Sequence, residues 1–347
     1  MSKNINILFI GEKPYKKNDA GNKARLDIDF ILQENQYNKI VELEEIKFEN
    51  IIEKIRYLLR KNTLKTMYKL FKLKDKKVIL QYPFYFNFII RYLLNNIIIN
   101  NESILFIHDI NFFRDSKIKD KKEIINIFNK AQYIIIHNEK MKKKLLNMGI
   151  KSKIIVLEVF DYILKQPLPE INYQLGNTIV FAGNLFKSEF LQKEQIENLG
   201  LMFNLYGPNF DNKKIKAKNI KYNGSYGPDV ISYKLEGNFG LIWDGISLTE
   251  CSGDYGAYLK VNNPHKLSLY ISAGIPVITW KKAAIADFIE KYNIGFVVDS
   301  LYDIANVIDN MTDEQYNMYI NNIKVLQKKV SEGYFTKKAL NKVEALL

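Results

Sequence analysis

The repeated alternation of short, continuously apolar segments with helical segments constrains the fold of this chain more than any other feature. The apolar segments are rich in β-branched and aromatic residues. Continuous apolar character is typical of strands buried on both faces, as in parallel sheets covered by helices. The predicted strands are Ile5–Ile10, Ile40–Leu43, Val78–Tyr82, Ile104–His108, Tyr133–His137, Lys153–Val159, Thr178–Ala182, Met202–Tyr206, Phe239–Trp243, Ile275–Trp280 and Gly295–Val298.

A segment with two prolines divides this alternation into two halves. Lys165–Gly176 has little apolar periodicity, and the chain of 347 residues is long enough for two ordinary domains. We predict two open α/β domains, residues 1–165 and 166–330, that face each other across a cleft. A C-terminal helical segment, residues 331–347, follows and could return to the first domain. Because such sheets bind ligands at the carboxyl ends of their strands, function is expected in the loops that follow strands.

The composition argues against several classes of protein. Cys251 is the only cysteine, which excludes an internal disulfide framework and fits a reducing compartment. His108, His137 and His265 have no metal-ligand spacing. The N-terminal sequence lacks a signal-peptide layout, and the apolar segment Phe84–Ile99 is too short and too polar to span a membrane. We therefore expect a cytoplasmic protein, either free or resting on the inner face of a membrane.

A predicted helix start in the second half is a candidate phosphate site. Asn263 is a favoured N-cap, Pro264 suits the first helical position, and A-G-I-P ending at Pro276 is the matching stop. His265 and Lys266 bring positive charge into the first turn, where the helix dipole disfavours it. That placement fits an anion bound between the helix amides and Lys266, but a solvated surface turn explains the spacing equally well.

Other side chains follow strands of the second half. Lys187 comes after F-A-G-N at the end of Thr178–Ala182 and is predicted to open the next helix. Lys187 and Lys266 together could neutralise a diphosphate without a metal. Asp244 ends another strand, and Tyr226 lies in a turn where its ring could stack on a base. Aromatic residues at strand ends, however, more often belong to the core.

The loop after the first strand lacks the fingerprint G-x-G-x-x-G, which argues against a nicotinamide or flavin enzyme. Asn18 in this loop can cap the following helix and contact an acceptor or a phosphate. An ordinary connection between a strand and a helix remains the alternative interpretation.

His108 and Asp109 close the apolar strand I-L-F-I-H-D-I. A histidine and an aspartate at this end of a strand are where a general base would face the cleft. The alternative is a pair that only satisfies the amides of the loop.

The sequence D-I-D at Asp27 to Asp29 is similar to the D-x-D motif of metal-dependent sugar transferases. Side chains two residues apart on a helix do not share a face, so these carboxylates are not expected to converge on one cation. We therefore expect no metal.

The segment Lys54–Lys77 contains ten Lys and Arg and one Asp, interleaved with aromatic and aliphatic residues. A basic amphipathic helix of this kind suits an anionic membrane surface. No nucleic-acid-binding motif accompanies the charge, so nucleic acid is not expected as a partner. A solvated face remains an alternative, because the whole chain is rich in Lys and carries a formal net charge of +13.

Several of these motifs resemble one bacterial glycosyltransferase family. N-N-P-H-K-L-S-L-Y-I-S-A-G-I-P-V-I, preceded by G-D-Y-G-A-Y-L-K and W-D-G, resembles the family that includes glucosyltransferase 3 of adhesin glycosylation and the β-1,6-galactofuranosyltransferases of surface polysaccharide synthesis. D-A-G-N-K-A-R-L-D, Q-Y-P and I-H-D-I with Arg114 are similar to the galactofuranosyltransferase branch. N-P-H-K in place of the S-Y-K of glucosyltransferase 3 also favours that branch.

The resemblance implies a GT-B fold, in which two Rossmann-like domains face a central cleft and the second domain binds the UDP part of the donor. It implies that Lys187 is a basic donor contact, that Tyr226 lies in a donor-binding turn, and that Lys266 is at the centre of the diphosphate-binding helix start. The full set of candidate UDP-binding residues is Asn18, Lys187, Tyr226, Asp244, Asn263, Pro264, His265, Lys266, Leu267, Ser268 and Leu269.

We therefore predict a metal-independent glycosyltransferase that moves a sugar from a UDP-sugar to a saccharide hydroxyl, with inversion and without a cofactor. Galactofuranose is the first choice of sugar and glucose the second. Asp109, with His108, is the expected base, and the acceptor could be lipid-linked. A homo-oligomer is left open. Two other classes also stay open, a non-catalytic nucleotide-sugar-binding subunit that supports another transferase and a nucleotide-sugar epimerase on the same architecture.

Overall fold

The computed structural model describes residues 6–13, 20–46, 48–114, 121–169 and 174–347. Contacts between residues divide the chain into two α/β units, and each contains a six-stranded parallel sheet. The first unit comprises the described residues of Met1–Phe112, Lys117–Leu157 and Thr336–Leu347. The second comprises those of Phe113–Ser116 and Glu158–Phe335. The predicted two-sheet α/β fold is confirmed.

The strands in the middle of the first unit's sheet are mostly buried and apolar, as predicted for a sheet covered on both faces, but the two edge strands are largely exposed or half-buried. The strands are β1 Ile7–Lys13, β2 Asn38–Glu44, β3 Lys77–Tyr82, β4 Glu102–Ile107, β5 Tyr133–Ile136 and β6 Lys153–Val156. Their order in the sheet is β2-β1-β3-β4-β5-β6. The chain thus adds β2 on one side of β1 and all later strands on the other side. The carboxyl ends of β1, β3 and β4 are therefore neighbours.

Several helices of this part of the chain begin at side chains that cap their first amides. Asn87 accepts a hydrogen bond from the Ile90 amide, and Asn138 accepts one from the Met141 amide. The helices are α1 Ala20–Glu34, α2 Ile51–Leu58, α3 Lys61–Phe71, α4 Phe88–Asn100, α5 Asn111–Arg114, α6 Lys121–Lys130 and α7 Glu139–Asn147. None of the described helices combines the length and the apolar composition that crossing a bilayer requires.

The second sheet has the order β12-β11-β10-β7-β8-β9. Its strands are β7 Thr178–Ala182, β8 Met202–Tyr206, β9 Ile220–Tyr222, β10 Phe239–Ile242, β11 Val277–Trp280 and β12 Gly295–Val298. The helices are α8 Pro228–Ile231, α9 Gly253–Leu259, α10 His265–Ser272, α11 Ala286–Tyr292, α12 Ile304–Asp309, α13 Asp313–Ser331 and α14 Tyr334–Glu344. Short 3-10 turns occupy Leu185–Lys187, Glu189–Gln192, Glu194–Leu199 and Leu301–Asp303.

The predicted strands Thr178–Ala182, Met202–Tyr206 and Gly295–Val298 are confirmed with the same bounds. Most other predicted strands differ only at their ends, and His108, His137 and Trp243 lie just after a strand rather than in it. The strand β9 was missed because it is a short, largely exposed edge strand without an apolar run.

The basic segment Lys54–Lys77 is not one helix, as its pattern had suggested. It forms most of α2, then α3, and the start of β3. The break falls at Arg60, whose extended backbone precedes the first residue of α3. The C-terminal helical part of the chain is also interrupted, since Gly333, with a positive φ of 75°, separates α13 from α14.

The second unit begins at Glu158, whereas the sequence had suggested a boundary after Lys165. The intervening residues are bonded to the second unit. The Asn263 side chain donates to the Glu158 carbonyl, and the Ser268 hydroxyl donates to the Phe160 carbonyl over 2.7 Å. These bonds lie ahead of the prolines from which the boundary was inferred, so the proline-rich segment does not mark it.

The C-terminal segment leaves the second unit after Phe335, whose amide donates to Asp161. From Thr336 onward the chain belongs to the first unit. There the Tyr133 hydroxyl donates to the Leu346 carbonyl over 2.7 Å, and the Tyr37 hydroxyl is bonded to a carboxylate of α14. The predicted C-terminal segment began at residue 331, whereas the chain joins the first unit five residues later, at Thr336.

Candidate functional site

Lys266 in the first turn of α10 is held between the ends of two strands of the second unit. Its ammonium donates to the Asp244 carboxylate over 2.9 Å, and the two side chains are 16% and 22% exposed. The same ammonium lies 4.5 Å from the ring centroid of Phe181 near the end of β7. A Cβ atom on Gly183 would stand 3.0 Å from the Lys266 side chain. A partly exposed cation is thus fixed where β7 and β10 end.

The helix α10 starts one residue later than predicted. Pro264 occupies the N-cap position, with φ −69° and ψ 145°, so the predicted N-cap at Asn263 is wrong. Asn263 is instead buried, and its amide nitrogen donates to Glu158. His265 stacks on Phe160, with ring centroids 4.9 Å apart. The first turn contains no acidic residue. The charge that this turn brings to the strand ends is therefore the positive charge of Lys266.

The hydroxyl of Tyr270 fixes α10 against both strands. It accepts from the Ala182 amide over 2.9 Å at the end of β7 and donates to the Leu241 carbonyl over 3.1 Å in β10. Gly240 makes room for the ring, because a Cβ atom there would lie 2.4 Å from it. Lys266 precedes Tyr270 by one helical turn, so the position of its side chain follows from this anchor.

The three residues after Lys266 face the interior. Leu267, Ser268 and Leu269 are buried, and the Ser268 hydroxyl is bonded to the Phe160 carbonyl. The sequence had included all three among the candidate UDP contacts. These residues pack the helix into its unit and are not exposed to a ligand.

Lys187 and Tyr226 occupy other exposed positions of the second unit. Lys187 is the last residue of a 3-10 turn and not the first of a helix, so its predicted place at a helix start is wrong. The Asn184 side chain accepts from the Phe186 amide and closes that tight turn. The Lys187 ammonium lies 5.0 Å from the ring centroid of Tyr255 in α9. Tyr226 is 38% exposed.

Helix α9 connects Lys187 to the ion pair of Lys266. Gly256, which follows Tyr255, packs against the strand end, because a Cβ atom on it would stand 3.1 Å from the Asp244 carbonyl oxygen. Tyr226 lies beside the end of β8, with its ring centroid 6.5 Å from that of Tyr206. Asn18, another predicted contact, lies outside the described residues.

A hydrogen-bonded amide determines the tautomer of His108 in the first unit. The Gln81 nitrogen donates to Asp29 over 2.8 Å and to the Arg25 carbonyl over 3.1 Å, and the Gln81 oxygen lies 2.6 Å from His108 Nε2. Both partners of the amide nitrogen are acceptors, so the orientation of the amide is determined. The amide oxygen can only accept, so His108 Nε2 carries a proton. In the neutral ring, Nδ1 is then the nitrogen with the lone pair.

A buried ion pair lies beside this amide. Arg25 donates to Glu12 over 2.5 Å and to the Pro83 carbonyl over 2.8 Å, with the Arg25 and Glu12 side chains only 5% and 12% exposed. The guanidinium also lies 5.1 Å from the ring centroid of Tyr85. Burial raises the pKa of Glu12, and the charge of Arg25 opposes that rise. The pair holds α1 against the ends of β1 and β3.

Asp27 and Asp29 contact different partners. Asp27 accepts from Lys23 over 2.6 Å, whereas Asp29 accepts from Gln81 and from the Glu12 amide over 2.8 Å. The described part of the chain contains no group of three or more His, Cys, Asp or Glu that could hold a metal ion. Burial raises the pKa of Asp29 to about 7, although two N–H donors favour its charged form.

Asp109 follows His108 in the loop after β4 and is half-buried. Its charge raises the pKa of the neighbouring His137, but burial has the larger effect and lowers that pKa to about 4. His137 is bonded to the Ile107 carbonyl over 3.0 Å. The candidate bases therefore stand beside a histidine that stays neutral, which sequence reasoning did not identify as part of the site.

The two units match the two domains of one protein family. Residues 9–159 match the model of the glucosyltransferase 3-like N-terminal domain, and residues 179–343 match that of the C-terminal domain. The chain belongs to the glucosyltransferase 3-like family. It is 32% identical to the β-1,6-galactofuranosyltransferase WbbI of Escherichia coli, across 97% of this chain and 98% of the relative. It is 28% identical to glucosyltransferase 3 of Streptococcus gordonii, across 70% of this chain and 71% of that one.

Solved structures with little sequence identity share the fold. Sucrose-phosphate synthase of Thermosynechococcus elongatus has a TM-score of 0.63 at 9% identity, covering 98% of this chain and 99% of its own. WaaG, a glycosyltransferase involved in lipopolysaccharide biosynthesis, has a TM-score of 0.53 at 10% identity, covering 96% and 98%. A trehalose-6-phosphate protein of E. coli bound with UDP-2-fluoro glucose has a TM-score of 0.54 at 10% identity, covering 97% and 98%. The chain is a glycosyltransferase with the GT-B fold.

The raised pKa of Asp29 predicts a pH dependence of stability. In the folded chain the Asp29 carboxyl keeps its proton up to about pH 7, whereas in the unfolded chain it loses the proton near pH 4. The contribution of Asp29 to the free energy of unfolding is therefore greatest below about pH 4. It falls by about 1.4 kcal/mol per pH unit between these two values as pH rises. We expect Asp29→Asn to remove this slope in denaturant unfolding curves.

Asp309→Asn is the matched control, because Asp309 is an exposed acid of the second unit. Its unfolding free energy should follow that of the wild type across the whole range. Parallel pH profiles for Asp29→Asn and the wild type would show that Asp29 does not titrate in this window.

Proposed function

We propose that this glycosyltransferase moves galactofuranose from its UDP-activated form to a hydroxyl of a growing, lipid-linked surface saccharide. The observation that carries this proposal is the 32% identity to a named β-1,6-galactofuranosyltransferase over nearly the whole length of both chains. The match to glucosyltransferase 3 covers less of the chain at lower identity. Glucose is accordingly the second candidate sugar.

The donor diphosphate is proposed to bind at Lys266. An ammonium has three donors, and Asp244 accepts from one of them, which leaves the others for phosphate oxygens. The first turn of α10 adds the positive end of a helix. UDP is the first nucleotide to consider, because a protein of the same fold has been solved with UDP-2-fluoro glucose.

Asp244 constrains how the donor can lie. A carboxylate repels a diphosphate, so the Lys266 ammonium must stand between the two groups. Asp244 can still accept a hydrogen bond from a hydroxyl of the nucleotide or of the sugar. The pair would thus bind the phosphate on one side and a hydroxyl on the other.

The leaving diphosphate is proposed to be stabilised by Lys266, with Lys187 as a second cation, and without a metal. Both ammonium groups carry the charge that a divalent ion would otherwise supply. Inversion then requires one displacement, in which a base takes the proton of the acceptor hydroxyl as the hydroxyl attacks the sugar. His108 and Asp109 are the candidates for that base.

Loss of Lys266 should weaken UDP binding. We expect Lys266→Met to bind UDP about ten- to a hundredfold less tightly, since a hydrogen bond to a charged group contributes about 1.5–3 kcal/mol. Isothermal titration of the full chain with UDP measures the change. Because this substitution leaves Asp244 without its cation, the double variant Lys266→Met/Asp244→Asn controls for an unpaired buried charge.

Lys213→Met, a change of an exposed lysine in the same unit, should bind UDP as the wild type does. Wild-type affinity in the Lys266 variants would contradict the proposed diphosphate site. So would thermal stabilisation of the wild type by a nicotinamide nucleotide and not by UDP.

A donor assay tests the proposed reaction. UDP-galactofuranose with a saccharide acceptor should release UDP faster than UDP-glucose does under the same conditions. Omission of the acceptor should abolish most of the release, because transfer needs the hydroxyl. Conversion of the donor without an acceptor would identify an epimerase, and UDP binding without any turnover would identify a non-catalytic subunit.

Kinetics of single variants should distinguish the two candidate bases. If His108 takes the proton, His108→Ala lowers kcat by about 10²- to 10⁴-fold and removes the acid limb of the pH profile, with a small change in KM for the donor. Gln81→Met should lower kcat less, because it removes the hydrogen bond that fixes the tautomer, together with those to Asp29 and Arg25, but leaves the His108 ring present. Loss of the acid limb in Asp109→Asn with its retention in His108→Ala would assign the base to Asp109.

A further inference from the structure

Helices α2 and α3 expose large apolar side chains on the surface of the first unit. No residue of α2 is buried. Ile51, Leu59 and Phe71 are 71%, 67% and 67% exposed. We call this surface the α2–α3 face, and its exposed apolar residues are Ile51, Ile52, Ile55, Leu59, Leu64, Tyr68 and Phe71. Exposed apolar patches of this kind mark interaction sites more often than single exposed residues do.

The apolar residues of α3 form one stripe. Leu64, Tyr68 and Phe71 follow one another at spacings of four and three, which places them on the same side of the helix. The buried residues Thr63 and Leu70 lie on a different side and pack toward the unit. The helix is therefore anchored by one side and presents a second apolar side outward.

A row of lysines runs beside this stripe. Lys61, Lys65, Lys69 and Lys72 repeat at helical spacing, and the last three directly follow the stripe residues in sequence. All four are exposed, and the Lys72 ammonium lies 4.9 Å from the ring centroid of Tyr68. An apolar stripe flanked by long basic side chains is the arrangement of helices that lie in a membrane interface.

The α2–α3 face lies near the carboxyl ends of strands of the first sheet. Tyr57 of α2 packs on Phe48, with ring centroids 5.4 Å apart, and lines a small cavity together with Phe86. Phe86 lines a second cavity with Arg25 and Glu12. The surface is thus close to the polar network at the ends of β1 and β3.

We propose that the α2–α3 face docks the first unit on an anionic lipid surface. The stripe would enter the boundary between headgroups and acyl chains, and the lysine row would contact lipid phosphates. A second copy of the chain fits less well, because a twofold contact through this face would bring two lysine rows together. Nucleic acid would use the lysines but not the apolar stripe.

Sedimentation with vesicles tests the docking without any sugar substrate, so its outcome is separate from that of the donor assay. The full chain is mixed with vesicles of phosphatidylcholine alone and with vesicles that also contain phosphatidylglycerol. We expect binding to the anionic vesicles only, and weaker binding at high salt. Lys61→Gln/Lys65→Gln/Lys69→Gln should lower the affinity roughly a hundredfold or more, and Leu64→Gln/Phe71→Gln should also lower it.

The control Lys213→Gln/Lys216→Gln/Lys218→Gln removes three exposed lysines from the second unit and should bind as the wild type. Far-UV circular dichroism and a thermal unfolding curve that match those of the wild type show that each variant is folded. Three outcomes would overturn the proposal. The chain could sediment equally with both kinds of vesicle, it could fail to sediment with anionic vesicles, or the lysine variant could bind as the wild type does. A dimer in light scattering that Leu64→Gln/Phe71→Gln dissociates, without vesicle binding by the wild type, would also overturn it.

Discussion

The hydroxyl of Tyr270 is the contact on which the candidate donor site depends. It bonds to β7 and β10 at once, and both strand ends contribute to the surroundings of Lys266. A helix that only packed on the sheet could slide along it, but two directional hydrogen bonds from one buried oxygen fix its position. Burial raises the pKa of this hydroxyl well above its usual range, so it stays protonated and able to donate at neutral pH.

Gln81 has the corresponding part in the first unit. Its buried amide connects Asp29 on α1 with His108 after β4. The amide nitrogen donates to the Asp29 carboxylate, and the amide oxygen accepts from His108 Nε2. In both units a neutral polar group therefore helps to position a candidate site residue, the helix of Lys266 in one and the ring of His108 in the other. A neutral group is less costly to bury than a charge, and its hydrogen bonds still specify a direction.

The sequence was sufficient for what depends on local order. Continuous apolar runs predicted the strands, and the lysine in the first turn of α10 was found from the helix start alone. The Gln81 contacts escaped prediction because their partners are 52 and 27 residues away, so only the folded sheet brings them together. The burial of Leu267 and Leu269 was missed because their candidate roles came from the motif around Lys266, which does not indicate which residues face the interior.

The basic character of the chain remained ambiguous in the sequence, and the structure separates two contributions to it. A general richness in Lys adds lysines wherever solvent allows, and some of these pair with acidic side chains, as Lys13 does with Glu44 over 2.7 Å. Such a bias does not place Ile51, Leu64 and Phe71 in solvent, because their exposure forfeits part of the roughly 1.5–3 kcal/mol that full burial of each would contribute. Composition alone does not explain why these exposed apolar side chains lie beside the lysine row. Contact with a lipid surface would remove the apolar side chains from water and so recover the free energy that their exposure forfeits.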